Sequence, residues 1–342
     1  MTRIRRRQFL KTGLAAGLAA LAVPAGRLLA RPAAGRMPMR PLGLTGEQVS
    51  LLGLGGFHVG IDGLTDAEAI ALIRTALDGG VTFLDNAREY NGGRSEERVG
   101  KALQGAWRER AFVMTKNCAH TRDGAETMRD LEASLKALRT DRIDLMLLHE
   151  VCYDNDPDWV MERGAVAAAI QARRQGKVRF IGFSGHKLPS IHLRMLALPV
   201  RWDAVMLPLG VMDHHFRSFE AGVLPELTRR RIGSIAFKTL SGFMSPMLAE
   251  TGLAAADCLR YTMSLPISTL VVGMESKELL RKNLETARNF TPMSQAERDE
   301  LLARSAPHAA DGRYEKYKTT MDFEGPPGKL AHRYINPAKA GQ

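Results

Sequence analysis

The stretch TFLDNAREYNGG (residues 82–93) sets the pattern for this chain. A short apolar run, Thr82 to Asn86, closes on a carboxylate, Asp85, and a phenol, Tyr90, follows five residues later. The same design recurs downstream: AFVMTK (111–116) ends on Lys116, and DLMLLH (144–149) ends on His149. Both faces of these runs are apolar, as in a strand buried inside a parallel sheet. Five more runs read the same way: VSLLGLG (49–55), RFIGFS (179–184), AVMLPL (204–209), SIAFKT (234–239) and TLVVGM (269–274).

Amphipathic segments with recognisable ends lie between these runs. Thr65 followed by Glu68 is a capping box, and Gly79-Gly80 closes that helix. Ser95, Ser276 and Ser294 read as N-caps, the last two with acids in the first turn. Periodic segments at Thr127–Leu138 and Val166–Gln175 supply two further crossovers. Eight strands, each followed by a helix, close most naturally as a (β/α)8 barrel, the TIM-barrel class. Gly53-Leu54-Gly55-Gly56 lacks the spaced third glycine and the later acid of a Rossmann unit. The expected organisation is a barrel over residues 41–310, opened by a hairpin with Thr45-Gly46 near its turn. A loop-like extension over residues 311–342 lies across one barrel face.

The chain has 342 residues, 45 % hydrophobic and 25 % charged, with a net charge of +11. Six of the cationic residues, Arg3, Arg5, Arg6, Arg7, Lys11 and Arg27, fall in the first thirty positions, which contain no acid. Taking those six from +11 leaves +5 without a dense basic run, which argues against nucleic-acid binding. The basic start, the Gly/Ala-rich apolar run TGLAAGLAALAVPAG and the small residues from Ala25 to Ala30 make a secretory pattern, too short for a stable membrane span. Arg6-Arg7-Gln8-Phe9-Leu10-Lys11 resembles a twin-arginine signal. The expectation is therefore a signal peptide over 1–30, a Pro/Ala/Gly/Arg linker over 31–40, recognition by the twin-arginine export machinery and a periplasmic location. Cys118, Cys152 and Cys258 form no metal-type spacing. They read as three separate thiols, with a Cys118–Cys152 disulfide as the alternative.

On neighbouring strands of such a barrel, Asp85, Tyr90, Lys116 and His149 meet at the C-terminal rim, where barrel active sites lie. A lysine cation beside a tyrosine favours the tyrosinate, and a carboxylate keeps the lysine in place. DNAREYNGGRSEERVGKAL, VMTKN, DLMLLHE, VRFIGFSGH and VVGMESKELLRKNLETA, in that order, resemble the aldo-keto reductase superfamily over roughly residues 40–287. The resemblance implies direct hydride transfer between a nicotinamide cofactor, NADP or NAD, and a small aldehyde, ketone, sugar or alcohol, without a metal. Tyr90 would be the proton donor, Lys116 paired with Asp85 would lower its pKa, and His149 would orient the carbonyl.

The resemblance also implies cofactor contacts at Ser184, Gly185, Met206, Lys238, Gly273, Ser276, Lys277 and Asn283. Gly185 stands where the family usually has asparagine and Met206 where it has glutamine. Leu209 is the expected position of the stacking aromatic. NADP is the family's preference rather than a property read from these residues. Lys238 reads as a phosphate or cofactor contact, and His58 as a pocket-lining residue. Asp213-His214-His215 offers metal-ligating side chains, but adjacent histidines on a strand point apart. The altered cofactor positions leave a second reading, a nucleotide-binding regulatory module on the same barrel with little turnover.

Overall fold

A computed structural model describes residues 35–333; the expected export segment, residues 1–30, lies outside them. The described residues contain ten strands: β1 (Met39–Pro41), β2 (Gln48–Ser50), β3 (Leu52–Leu54), β4 (Phe83–Leu84), β5 (Phe112–Asn117), β6 (Ile143–Leu148), β7 (Val178–Ser184), β8 (Ala204–Pro208), β9 (Gly233–Phe237) and β10 (Thr269–Val272). Strands β3 to β10 close into a parallel barrel in chain order, with β10 paired to both β9 and β3. The run expected as one strand over 49–55 divides in two. Gln48–Ser50 pairs antiparallel with Met39–Pro41, and only Leu52–Leu54 enters the barrel. That hairpin sends Leu42 and Val49 into the barrel interior, while Arg40 donates to the carbonyl oxygens of Met263, Leu265 and Ile267.

Side chains alternate across each strand, so one parity faces the lumen and the other the helices. Phe83, Phe112, Met114, Leu145, Leu147, Ala204, Met206, Ile235 and Val271 fill the lumen as one apolar cluster. Their neighbours, among them Leu84, Val113, Met146, Leu148, Val205 and Leu207, pack outward in a second and larger cluster. Two more steps of the inward parity carry Phe83 to Asp85, Met114 to Lys116 and Leu147 to His149. The polar groups therefore arrive at the lumen's end without interrupting its apolar filling.

Eight helices cover the barrel: α1 (Asp66–Asp78), α2 (Arg94–Ala102), α3 (Gly124–Leu138), α4 (Ala165–Arg174), α5 (Pro189–Ala197), α6 (Leu224–Arg230), α7 (Ala255–Ser264) and α8 (Lys277–Arg288). The Thr65/Glu68 box caps α1, and Ser276 caps α8 by accepting from Leu279 N at 3.1 Å. Ser294 caps a further helix, α9 (Gln295–Ala309), in the same way. Ser95 is no cap: α2 starts after Gly93, whose φ of +91° suits glycine, and Ser95 is buried beside Asn91. The segment expected as a loop after residue 310 contains two short helices, α10 (Lys316–Thr319) and α11 (Pro326–His332). Among the described residues, no helix is long and apolar enough to cross a membrane.

Candidate active site

Lys116 is the hub of the rim. It is completely buried, and its ammonium donates to the carboxylate of Asp85, to Asn86 O at 2.9 Å and to Tyr90 Oη at 2.9 Å. An ammonium has three protons, and all three are placed. Asp85 is held in turn by Gly56, whose backbone N–H donates to its carboxylate. Because Tyr90 Oη accepts from the lysine, its own proton is left to donate elsewhere. The lysine's donation favours the phenolate, but it is not what dominates the phenol's pKa. Burial raises it well above its ordinary value, and Asp85 and Glu89 add to the rise, so Tyr90 is held as the phenol.

His149 stands beside this trio, its ring edge-on to Tyr90 with centroids 5.9 Å apart. The backbone that presents it is braced by Arg122, which is buried and donates to His149 O at 2.8 Å, Glu150 O at 2.9 Å and Asp156 Oδ1 at 2.7 Å. The imidazole has a carboxylate neighbour that the strand pattern does not reveal. Glu89 Oε1 lies 2.9 Å from His149 Nδ1, and Glu89 Oε2 lies 3.1 Å from His120 Nε2. The other nitrogen of His120 faces Glu150 at 3.7 Å. Burial lowers His149 to about 4 against the pull of Glu89. Burial alone would raise the Glu89 carboxyl, but hydrogen bonds from His120 and His149 hold it well below its usual range.

Ser184 ends β7 on the lumen parity, and its buried Oγ has no hydrogen-bond partner among the described residues. Gly185 is packed so closely that an added Cβ would lie 2.1 Å from Val151 O. Met206 lies wholly inside the lumen cluster. Leu209, the expected stacking position, has outward parity and is buried among the helices. The aromatic on the inward parity is Phe237, at the end of β9. Lys238 follows it with a φ of +57°, its ammonium 5.1 Å from the Phe237 ring, 5.3 Å from Tyr317 and 5.0 Å from Phe323. Burial lowers that ammonium to about 8.

At the end of β10, Gly273 makes room for His58, whose ring would lie 2.3 Å from a Cβ there. His58 therefore sits over the mouth, between Phe57 and Phe243. Ser276 and Lys277 open α8, and Asn283 is buried further along it. The Lys277 side chain lines a cavity of about 450 Å³ on the outside of the barrel, with Thr75, Arg281 and Arg288. Asp85, Tyr90, Lys116, His149, Ser184 and Lys238 thus converge on the mouth, whereas Lys277 turns away from it. Asp213, His214 and His215 do not converge: Asp213 pairs with Lys318, His214 with Glu220, and His215 with Ser305. The three cysteines are free thiols.

The tail crosses the same face. Lys318 is buried and donates to Asp213 Oδ1 at 2.6 Å and Phe216 O at 2.7 Å. Lys187 pairs with Glu324, and Gly325 N donates to Glu150 at 3.1 Å. His332 Nε2 reaches His120 O at 2.7 Å, and its ring stacks on Tyr153 with centroids 4.0 Å apart.

The aldo/keto reductase family model matches residues 51–252, more than half of the chain and most of the barrel. L-galactose dehydrogenase of Arabidopsis thaliana is 27 % identical over 285 residues, 73 % of this chain and 88 % of that protein. Aldo-keto reductase YhdN of Bacillus subtilis is 28 % identical over 230 residues, 63 % of this chain and 66 % of that one. The holo form of aldo-keto reductase AKR11C1 from Bacillus halodurans superposes with a TM-score of 0.66 over 79 % of this chain and 96 % of that one, at 22 % identity, a likeness of fold.

Proposed function

The chain belongs to the aldo/keto reductase family and is an NAD(P)-dependent oxidoreductase; on that premise we propose that Tyr90 is its proton donor, acting on the oxygen of a carbonyl or alcohol substrate. The observation that carries this reading is the complete occupation of Lys116. With its protons committed to Asp85, Asn86 O and Tyr90 Oη, the lysine fixes the phenol's oxygen and leaves its O–H free for a ligand. Deep burial keeps that proton on the phenol until a substrate oxygen develops negative charge nearby. Lys116 then stabilises the phenolate left behind.

The residues around the mouth suit a nicotinamide nucleotide, which when bound supplies or accepts the hydride. Ser184 has a buried hydroxyl without a partner among the described residues, as a carboxamide contact would need. Phe237 presents an aromatic ring on the lumen side, where a flat heterocycle can stack. Ser276 heads the twelve-residue helix α8, whose N-terminus favours an anion, and Lys238 adds a cation beside the Phe237 ring. Gly185, Gly273 and Asn283 would contribute backbone or shape, while Met206 offers no hydrogen bond to the ring. NADP is our preferred cofactor over NAD on the family resemblance alone, since Lys277 and Arg281 line the outer cavity. Thermal shifts with NADPH and NADH at equal concentration test that preference.

The likeness to L-galactose dehydrogenase makes sugars the first compounds to screen. We also propose the twin-arginine route to a bacterial periplasm, resting on Arg6 to Lys11; lysines at Arg6 and Arg7 should keep the protein in the cytoplasm. The deciding experiment is Tyr90→Phe, assayed on a panel of aldehydes, ketones and sugars. A loss of roughly 10²–10⁴-fold in kcat/KM is expected for a missing general acid. Unchanged turnover would remove Tyr90 from the mechanism.

A further inference from the structure

Glu89 lies one residue before Tyr90, and neither the family resemblance nor the strand pattern gives it a role. Its carboxylate faces two histidines at once, His149 Nδ1 at 2.9 Å and His120 Nε2 at 3.1 Å. Both contacts require N–H donors, because a carboxylate offers only acceptors. His149 Nδ1 is thereby committed to carrying its proton toward Glu89. The thiol of Cys118 does not compete for that role. It donates to Lys116 O at 3.5 Å, while its sulfur lies 3.3 Å from the same Nδ1. Burial raises the thiol's pKa well above its ordinary value, so no thiolate forms there.

We propose that Glu89 is a positioning residue that keeps His149 in the Nδ1–H form, so that Nε2 presents a lone pair to the reacting oxygen and the site selects a ligand bearing a hydroxyl, an alcohol or a hemiacetal, over the matching carbonyl. The inference deepens, and rests on, the reading of Tyr90 as a donor. One hydroxyl oxygen has two lone pairs and one proton. It can accept from Tyr90 O–H and donate to His149 Nε2, which satisfies both side chains. A carbonyl oxygen has no proton to give. Against it, the Nε2 lone pair would be repulsive and left unpaired.

The surroundings favour this neutral form. The groups that face His149 are Glu89, Cys118, His120, Lys116 and Tyr90, drawn from the loop after β4, from β5 and its following loop, and from the rim itself. Lys116 and His120 oppose a second proton on His149, and burial opposes it further. Burial works against a charged His120, but Glu89 and Glu150 on either side outweigh that and raise its pKa. The chain of contacts runs on from Glu150 to Gly325 N at 3.1 Å, so the tail's position steadies the same set. Because a catalyst cannot alter the overall equilibrium, the preference is one of binding: the alcohol is held more tightly than the carbonyl, and both directions are still catalysed.

The test begins with the unaltered full chain. Long-range proton–nitrogen correlation on protein labelled with 15N-histidine, with the His149 signals assigned by their loss in His149→Gln, reads the tautomer directly. Nδ1–H with a bare Nε2 between pH 6 and 8 is expected. A proton on Nε2, alone or on both nitrogens, overturns the proposal. Glu89→Gln should shift the signals toward a mixture of tautomers, and Glu89→Asp should restore them. The second readout is competitive inhibition by benzyl alcohol and by benzaldehyde in the nucleotide-loaded enzyme. Loss of one neutral hydrogen bond predicts that Glu89→Gln weakens the alcohol roughly 3–10-fold. The aldehyde should stay within about twofold; equal weakening of both would mean a merely structural role. Failure of this proposal is distinct from failure of the functional reading: Tyr90→Phe tests the donor, and the tautomer measurement does not depend on turnover.

Discussion

Replacing Lys116 with methionine separates the structural duty of the rim from its chemical one. Methionine fills the lysine's stem volume but leaves Asp85 buried with no cation. Asn86 O loses a donor at 2.9 Å and Tyr90 Oη another at 2.9 Å. Removing one member of a buried ion pair costs about 3–5 kcal/mol, because the partner's charge stays uncompensated. Burial already raises the Asp85 pKa, and without the lysine the carboxyl would take up a proton to limit the cost. In a domain of this size each kcal/mol moves the midpoint by about 2 °C, so Lys116→Met should unfold roughly 6–10 °C lower. Adding Asp85→Asn to the same chain removes the stranded charge and should recover most of the loss. Activity should not return, because neither residue of the pair then fixes Tyr90 Oη. Calorimetry or circular-dichroism melts of the three variants and the parent, with kcat/KM on one turned-over substrate, make the measurement. A Lys116→Met protein that melts at the parent's temperature refutes the reasoning, as does a double variant that regains turnover.

Three other outcomes follow from the packing. Gly56→Ala would bring a methyl within 2.1 Å of Asp85 O, so it should cost about 1–3 kcal/mol in urea unfolding and lower activity by displacing Asp85. Lys318→Met strands the buried carboxylates Asp213 and Glu315, and should show as faster proteolysis and amide exchange over residues 311–333 while the barrel strands keep their protection. His192 is fully buried between Phe183 and Phe219, and burial lowers its pKa to about 4. A lowered histidine stabilises the fold above its unfolded value near 6.5 and loses that contribution as pH falls toward 4, a span of about 3 kcal/mol. His192→Phe should therefore flatten the loss of stability between pH 6.5 and 4, and an unchanged slope would count against it.

The barrel was legible because each strand carries its own record: an apolar run of fixed length, with a polar group where the lumen ends. That period also explains Asp85, Lys116 and His149, each two steps beyond an inward apolar residue. The same parity would have chosen Phe237 over Leu209 as the aromatic facing the mouth, since Leu209 follows Val205 and Leu207 outward. Glu89, His120 and Glu150 were not legible. They sit in loops, where no period assigns a direction, and they meet only because three strand ends are neighbours. The split of residues 48–54 between hairpin and barrel was hidden for a related reason, because both pieces are apolar and extended. The tail's buried ion pairs were the hardest to foresee. Lys318 meets Asp213 across 105 residues, and a lysine in a polar segment gives no sign of it.

The crossing of the mouth by residues 311–333 gives this enzyme a division of labour in time as well as in space. Gly325 reaches Glu150 across 175 residues and His332 reaches His120 across 212. Every strand of the barrel, and every group argued to handle the proton, is made before that segment leaves the ribosome. The covering over the mouth is then added last, by a stretch that carries none of the chemistry. Such a segment can be exchanged or lengthened without disturbing the strands beneath it, which offers a route by which one reactive centre comes to serve different molecules.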